Sequence, residues 1–124
     1  MTENVVVLGA GYAGTGAIKK LQSELGGNVR LTWIADVDYH LVLHESHRVI
    51  RDPSVRSDIT FPVDQIADPA TRFIQDEVTG LDVDEQVVEL ADSDAVEYDY
   101  VLVALGSQTA YYGIPGLEDH SLTL

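Results

Sequence analysis

Cysteine is absent from the 124-residue chain. That excludes a disulfide framework, thiolate metal ligands, a cysteine nucleophile and a redox-active dithiol within these residues. Lysine is nearly missing too, with only Lys19 and Lys20. Acidic residues outnumber Lys and Arg by 21 to 7, and the formal net charge is −14. Such a surface repels nucleic-acid phosphates and anionic lipid, so neither is expected as a direct partner. No apolar run is long enough to cross a bilayer. The segment from Met1 to Asn4 carries no basic region and runs straight into a strand, so no signal peptide is expected, and nothing points away from the cytoplasm. The acids are scattered along the chain and 45% of residues are hydrophobic, which speaks for one folded domain with a core. The Asp-rich, Lys-poor balance predicts a surface suited to a salt-rich cytoplasm, where ions screen self-repulsion. An ordinary acidic protein is the bland alternative.

What is present has an informative order. Asn4 to Leu8 is a short apolar run that predicts a strand buried on both faces, as in a parallel sheet. A helix is expected from Tyr12 to Leu25, where Ala13, Ala17, Ile18, Leu21 and Leu25 recur at helical spacing and Gly26-Gly27 stops it. Val29 to Ala35 reads as a second buried strand, so the first 35 residues predict one βαβ unit. Leu41 to Ile50 is expected to be helical, closed by Asp52-Pro53. From Pro53 to Pro69 the chain reads as a connection with short helical turns. Arg72 to Thr79, Gln86 to Leu90 and Ala95 to Tyr98 predict antiparallel strands, with turns at Gly80, Asp82 to Asp84 and Ala91 to Asp94. Tyr100 to Leu105 predicts another buried strand before Gly106. Repeats, low-complexity segments and internal domain boundaries are not evident.

The strongest local signal is Gly9-Ala10-Gly11-Tyr12-Ala13-Gly14, a G-x-G-x-x-G that directly follows a strand and opens a helix. Gly9 permits a tight turn, Gly11 lets a pyrophosphate approach the backbone, and Gly14 lets helix and strand pack closely. The helix N-terminus offers free N–H groups and a positive dipole end to phosphates. No Lys-Ser/Thr follows, so this is not a triphosphate loop. A dinucleotide site also wants an acid about 20 residues on, at the end of the second strand, to bind a ribose hydroxyl. Asp36 and Asp38 are both candidates. The loop alone does not choose between FAD and NAD, and a glycine-rich turn with no ligand is its structural alternative.

The far end adds to this. Tyr98-Asp-Tyr-Val-Leu-Val-Ala-Leu-Gly-Ser107 follows the antiparallel strands, and Gly113-Ile-Pro-Gly116 comes soon after. Together with Gly9 to Gly14 and Asp38-Tyr-His40, these residues resemble the pyridine-nucleotide-dependent flavoproteins, and within them the type II NADH:quinone oxidoreductases. The resemblance spans nearly the whole chain. It implies an α/β fold: a Rossmann-like FAD-binding domain with a parallel sheet and a small antiparallel β-meander, incomplete at 124 residues. It implies that Gly9, Gly11 and Gly14, with Tyr12 and Ala13, hold the FAD pyrophosphate, and that Asp36 takes the adenosine ribose. Val78 would lie against the adenine, and Ala104, Leu105 and Gly106 against the flavin side. Arg48, in the stretch after His40, would run near the ribityl or pyrophosphate groups. Two departures stand out. Relatives place their acid one position earlier, at Ala35 here, and many carry Thr where Leu105 stands. The resemblance further implies that NADH is the co-substrate and a quinone or similar compound the acceptor in an intact protein, peripheral on the inner face of a membrane. The parts that would bind NADH and close the flavin pocket are not among these residues, so no catalytic residue and no NADH oxidation are expected from this chain alone, and its own FAD binding is expected to be weak or absent. A stand-alone NAD(P)-binding sensor, or a folded remnant that binds nothing and self-associates through bare apolar surface, are the competing readings.

Other constellations carry less. His40, His44 and His47 would share one face if all were helical, as zinc or nickel ligands could. The motif His44-Glu-Ser-His47 is one residue short of H-E-x-x-H, and histidines beside a cofactor are the simpler reading, so no metal is expected. Ser107 lacks the G-x-S-x-G elbow of a nucleophile. Trp33 is most simply core, and Tyr98, Tyr100, Tyr111 and Tyr112 are packing residues or loop anchors.

Overall fold

A strand with apolar residues on both faces needs cover on both, and the two earliest strands obtain it. The computed structural model describes residues 2–123. Strand β1 (Asn4–Leu8) leads through the glycine loop into helix α1 (Tyr12–Leu25), and strand β2 (Arg30–Ala35) returns parallel to β1. β3 (Tyr39–Leu41) and β4 (Thr60–Pro62) form a small antiparallel pair, with the short helix α2 (His47–Arg51) between them. β5 (Arg72–Gln75) precedes the antiparallel strands β6 (Val78–Asp82), β7 (Val87–Leu90) and β8 (Val96–Glu97). β9 (Tyr100–Val103) and one helical turn, α3 (Leu117–His120), follow.

The main sheet has the order β5-β2-β1-β9, and every adjacent pair in it is parallel. Alternate side chains of β1 and β2 go to opposite faces. Val5, Val7, Leu31 and Trp33 meet Ile18 of α1 on one face, while Val6, Leu8 and Ile34 meet Val88 and Val96 of the β6-β7-β8 meander, and Tyr98 just after it, on the other. The helix, sheet and meander are therefore three layers, and the central strands are the filling. Gln22 fastens α1 to the connection behind it: its amide donates to the Ile66 carbonyl, and its carbonyl accepts from the Asp68 N–H and the Thr71 hydroxyl.

The βαβ unit and the general antiparallel meander match the sequence expectation, although Gly80, expected at a turn, lies inside β6 opposite Glu89. Three segments differ. Leu41 to Ile50 is not one helix: β3 runs through Leu41, residues Leu43–Glu45 form a 3-10 turn, and only His47–Arg51 is α-helical. The cause is tertiary, because the Val42 N–H bonds to the Ile59 carbonyl at 2.8 Å, extending the pairing of β3 with the chain around β4. Arg72 to Thr79 is two strands, not one. β5 joins the edge of the parallel sheet beside β2, and β6 begins the meander. The break falls at Asp76, whose N–H bonds to the Ala35 carbonyl while its carboxylate accepts from the Glu77 N–H. Finally, Tyr100 to Leu105 is not buried. β9 lies at the sheet edge, with Tyr100, Leu102, Val103 and Leu105 exposed.

Candidate dinucleotide cleft

All four parallel strands end at one place. The chain leaves β1 at Gly9, β2 at Asp36, β5 at Asp76 and β9 at Ala104. Around these four exits lies a cleft of about 470 Å³, walled by Gly9 to Tyr12, by Ala35 to Val37, by Asp76 to Val78 and by Ala104 to Gly106. Tyr39, Leu41, Leu43 and Gln108 complete its lining. An opening at the carboxyl ends of parallel strands is where open α/β sheets bind ligands.

The glycine loop forms the floor. Gly9 has φ +107°, in the left-handed half of conformational space, and a Cβ there would collide with the Ala104 carbonyl. A Cβ on Gly14 would collide with the Gly9 carbonyl. Both glycines are required by the protein's own backbone. Gly11 is different. It caps α1 at φ −75° and ψ −164°, a conformation open to any residue, and a Cβ there would meet no protein atom within 4 Å. Nothing in the fold itself demands glycine at this position, and the space its missing Cβ leaves belongs to the cleft. The first turn of α1 has no side-chain cap and no acidic residue. Its leading N–H groups, which a helix cannot satisfy internally, and its positive dipole end are thus left to whatever occupies the cleft.

Most residues singled out by sequence assemble here. Gly9, Gly11, Tyr12, Asp36, Val78, Ala104, Leu105 and Gly106 line the cleft. Asp36 lies on the wall, exposed, whereas Asp38 faces other hollows and its carbonyl accepts from the Val63 N–H. Ala13 and Gly14, in the first turn of α1, do not line the cleft; Ala13 is exposed and Gly14 is buried. Arg48 does not line the cleft; its guanidinium pairs with Glu45 at 3.2 Å on the surface. The three histidines do not converge. His40 is buried in β3 with Nδ1 2.8 Å from the Ala10 carbonyl, His44 bonds through Nδ1 to the Tyr12 hydroxyl at 2.6 Å, and His47 is turned to the His44 carbonyl. Among the described residues no group of three potential ligands could hold a metal ion.

Asp76 was not anticipated. Buried in the cleft wall, its carboxylate accepts from the N–H groups of Glu77, Asp92 and Ser93 and so binds the end of β5 to the turn after β7. The Ser93 side-chain hydrogen bond, with the backbone N–H groups, holds this carboxyl below its ordinary range. The signal that locates Asp76 and Glu77 is positional: they follow a parallel strand, which the composition of Arg72 to Thr79 does not reveal.

Comparison with known proteins agrees with this geometry. The sequence model of the family described as pyridine nucleotide-disulphide oxidoreductase matches residues 3–124. A type II NADH:quinone oxidoreductase of Staphylococcus saprophyticus is 31% identical over 124 residues, and one of Staphylococcus aureus is 32% identical. In both cases the match covers 98% of this chain and 31% of the relative, so the chain spans about a third of their length. The sulfide:quinone oxidoreductase of Aquifex aeolicus superposes with a TM-score of 0.84 at 24% identity, over 97% of this chain and 28% of that one. NDH2 of Plasmodium falciparum, solved in complex with NADH, gives 0.84 at 17% identity, over 95% of this chain and 25% of that one. These likenesses establish the Rossmann-like fold. With a family match over almost every residue, the chain belongs to the pyridine nucleotide-disulphide oxidoreductase family.

Proposed function

We propose that this chain is the FAD-binding portion of an NADH-dependent flavoprotein oxidoreductase that passes electrons to a quinone or similar acceptor. The observation that carries the reading is the open space at Gly11. Two glycines of the loop serve the fold, and the third serves an occupant whose backbone approach a methyl group would block. The first turn of α1 beside it, uncapped and free of acids, suits a pyrophosphate. In this reading Asp36 and Val78, which line the cleft, take the adenosine ribose and the adenine. Ala104 to Gly106 border the flavin end. When bound, FAD supplies the hydride and electron chemistry, and the protein orients it. The 124 residues contribute cofactor geometry and no catalytic side chain, so the chain alone does not oxidise NADH. A quinone acceptor would bring the complete enzyme to a membrane surface as a peripheral protein; no described helix is long and apolar enough to cross one.

Titration of the chain with FAD and, separately, NADH in molar KCl tests this by calorimetry. Saturable FAD binding without NADH binding, even if weak, supports the flavin reading. Binding of NADH alone would replace the flavin reading with that of a nucleotide sensor. Binding of neither would make the loop architecture only. Gly11→Ala is expected to weaken FAD binding roughly tenfold while leaving the melting temperature within about 2 °C of the parent.

A further inference from the structure

The loop's backbone is held from inside. Two of its carbonyls, those of Gly9 and Ala10, point into the protein, and each meets a side-chain donor there. The indole N–H of Trp33 donates to the Gly9 carbonyl at 2.8 Å. The Ala10 carbonyl accepts from the Thr15 hydroxyl at 3.1 Å and from His40 Nδ1 at 2.8 Å. Trp33 is the chain's single tryptophan, fully buried beneath α1, paired with Val7 across β1 and edge-on to Phe73. Apolar packing does not need an N–H in that position. A leucine or phenylalanine would fill the layer without a polar atom to satisfy. What the indole adds is one hydrogen bond, and its acceptor is the first residue of the phosphate loop.

The peptide unit is planar and trans, so its C=O and its N–H point in opposite directions. Holding the Gly9 carbonyl inward turns the Ala10 N–H outward. Holding the Ala10 carbonyl inward does the same for the Gly11 N–H, at the residue whose missing Cβ opens the cleft. From this geometry we propose that Trp33, with His40 and Thr15 acting one peptide further on, is a positioning residue that aims the loop's amides at the pyrophosphate of a bound dinucleotide. The inference rests on the dinucleotide reading of the cleft and adds to it the residues that pre-set the loop. Neither Trp33 nor His40 lines the cleft. Each works through a carbonyl on the protected side of the loop, where water does not compete for it.

Trp33→Phe keeps an aromatic ring and removes the donor. In the protein without ligand, the backbone amide resonances of Ala10 and Gly11 are expected to move, while those of the meander around Val88 stay in place. The affinity for ADP, which carries a pyrophosphate, is expected to fall about two- to tenfold, the loss of one buried hydrogen bond. The affinity for adenosine, which has none, stays the same. His40→Leu removes the other donor and is expected to shift the Gly11 amide and weaken ADP in the same way, so a Trp33→Phe chain that fails to fold does not end the test. Unmoved Ala10 and Gly11 resonances in the variants overturn the proposal, as does an equal loss of ADP and adenosine binding, which marks general loosening of the core. A parent chain that binds ADP but not FAD removes the flavin reading and leaves the positioning role standing. A parent chain that binds no nucleotide overturns the pyrophosphate role, and moved resonances then show only that Trp33 and His40 hold the loop's shape.

Discussion

β1 and β9 are neighbours in one sheet and are written in nearly the same alphabet, Val-Val-Val-Leu beside Tyr-Val-Leu-Val. Their surroundings are opposite. Val6, Val7 and Leu8 are 1%, 0% and 1% exposed, whereas Tyr100, Leu102 and Val103 are 59%, 43% and 55% exposed. Composition is therefore not what buries a strand. β1 has a strand on either side, α1 over one face and the meander over the other; β9 has one neighbouring strand and incomplete cover. The two strands meet at the floor of the cleft, where the missing Cβ of Gly9 lets the Ala104 carbonyl close in. The cleft thus has a fixed side, built on β1, β2 and α1, and a looser side built on β9.

The junction between the two sides offers the sharpest test. Gly9→Ala places a methyl group against the Ala104 carbonyl and forces a non-glycine residue to φ +107°. Backbone strain of about 1–3 kcal/mol adds to a similar cost for the collision. A loss of more than about 3 kcal/mol is expected in urea unfolding, enough to threaten the fold of so small a domain. An unchanged midpoint would mean that β9 is not seated on the loop at all. The next largest effect belongs to the fixed side: Ile34→Ala, at a fully buried position of β2, is expected to cost about 2–5 kcal/mol.

Those two sides were not equally legible in the sequence. The unit from Asn4 to Ala35 was readable because its signals are local: an apolar strand, a glycine loop, a helical period and a second apolar strand, each of ordinary length. Asp36 followed from its spacing after the glycine loop and Val78 from resemblance, and both line the cleft. The failures lie where tertiary contacts outvote local pattern. Leu41 looked helical, but pairing of β3 with β4 holds it extended. Arg72 to Thr79 looked like one strand because nothing in its composition announces that Asp76 turns the chain between two sheets. Tyr100 to Leu105 looked buried because an apolar run does not state whether its strand is central or at an edge. Trp33 was read as core, which it is, but the partner of its N–H depends on a carbonyl far away in sequence that no periodicity reveals.

Asp76 marks how the meander is tied to the cleft wall, and its effect should depend on pH. Its folded pKa lies below the ordinary carboxylate value because the Ser93 hydroxyl and the surrounding backbone N–H groups favour the charged form. A lowered folded pKa gives stability that is complete above the unfolded value near 3.9 and is lost as pH falls through the folded one. Asp76→Asn is therefore expected to melt below the parent at pH 7, with the gap narrowing as the pH is taken under about 4. A gap that stays constant down to pH 3 would assign the loss to shape rather than charge.

The smallest expected effect is also the one that bears most directly on β9. Leu102→Ala removes as much side chain as a core truncation, yet at a position that is 43% exposed it should cost less than about 1 kcal/mol. Comparison with Ile34→Ala at several protein concentrations completes the test. If Leu102→Ala costs little at every concentration, β9 is an open edge and its apolar residues contribute to stability only through β1 and the meander. A cost approaching that of Ile34→Ala would mean the edge is covered in solution. If that cost grows with concentration, the cover is a second copy of the chain, because association stabilises the folded state by mass action.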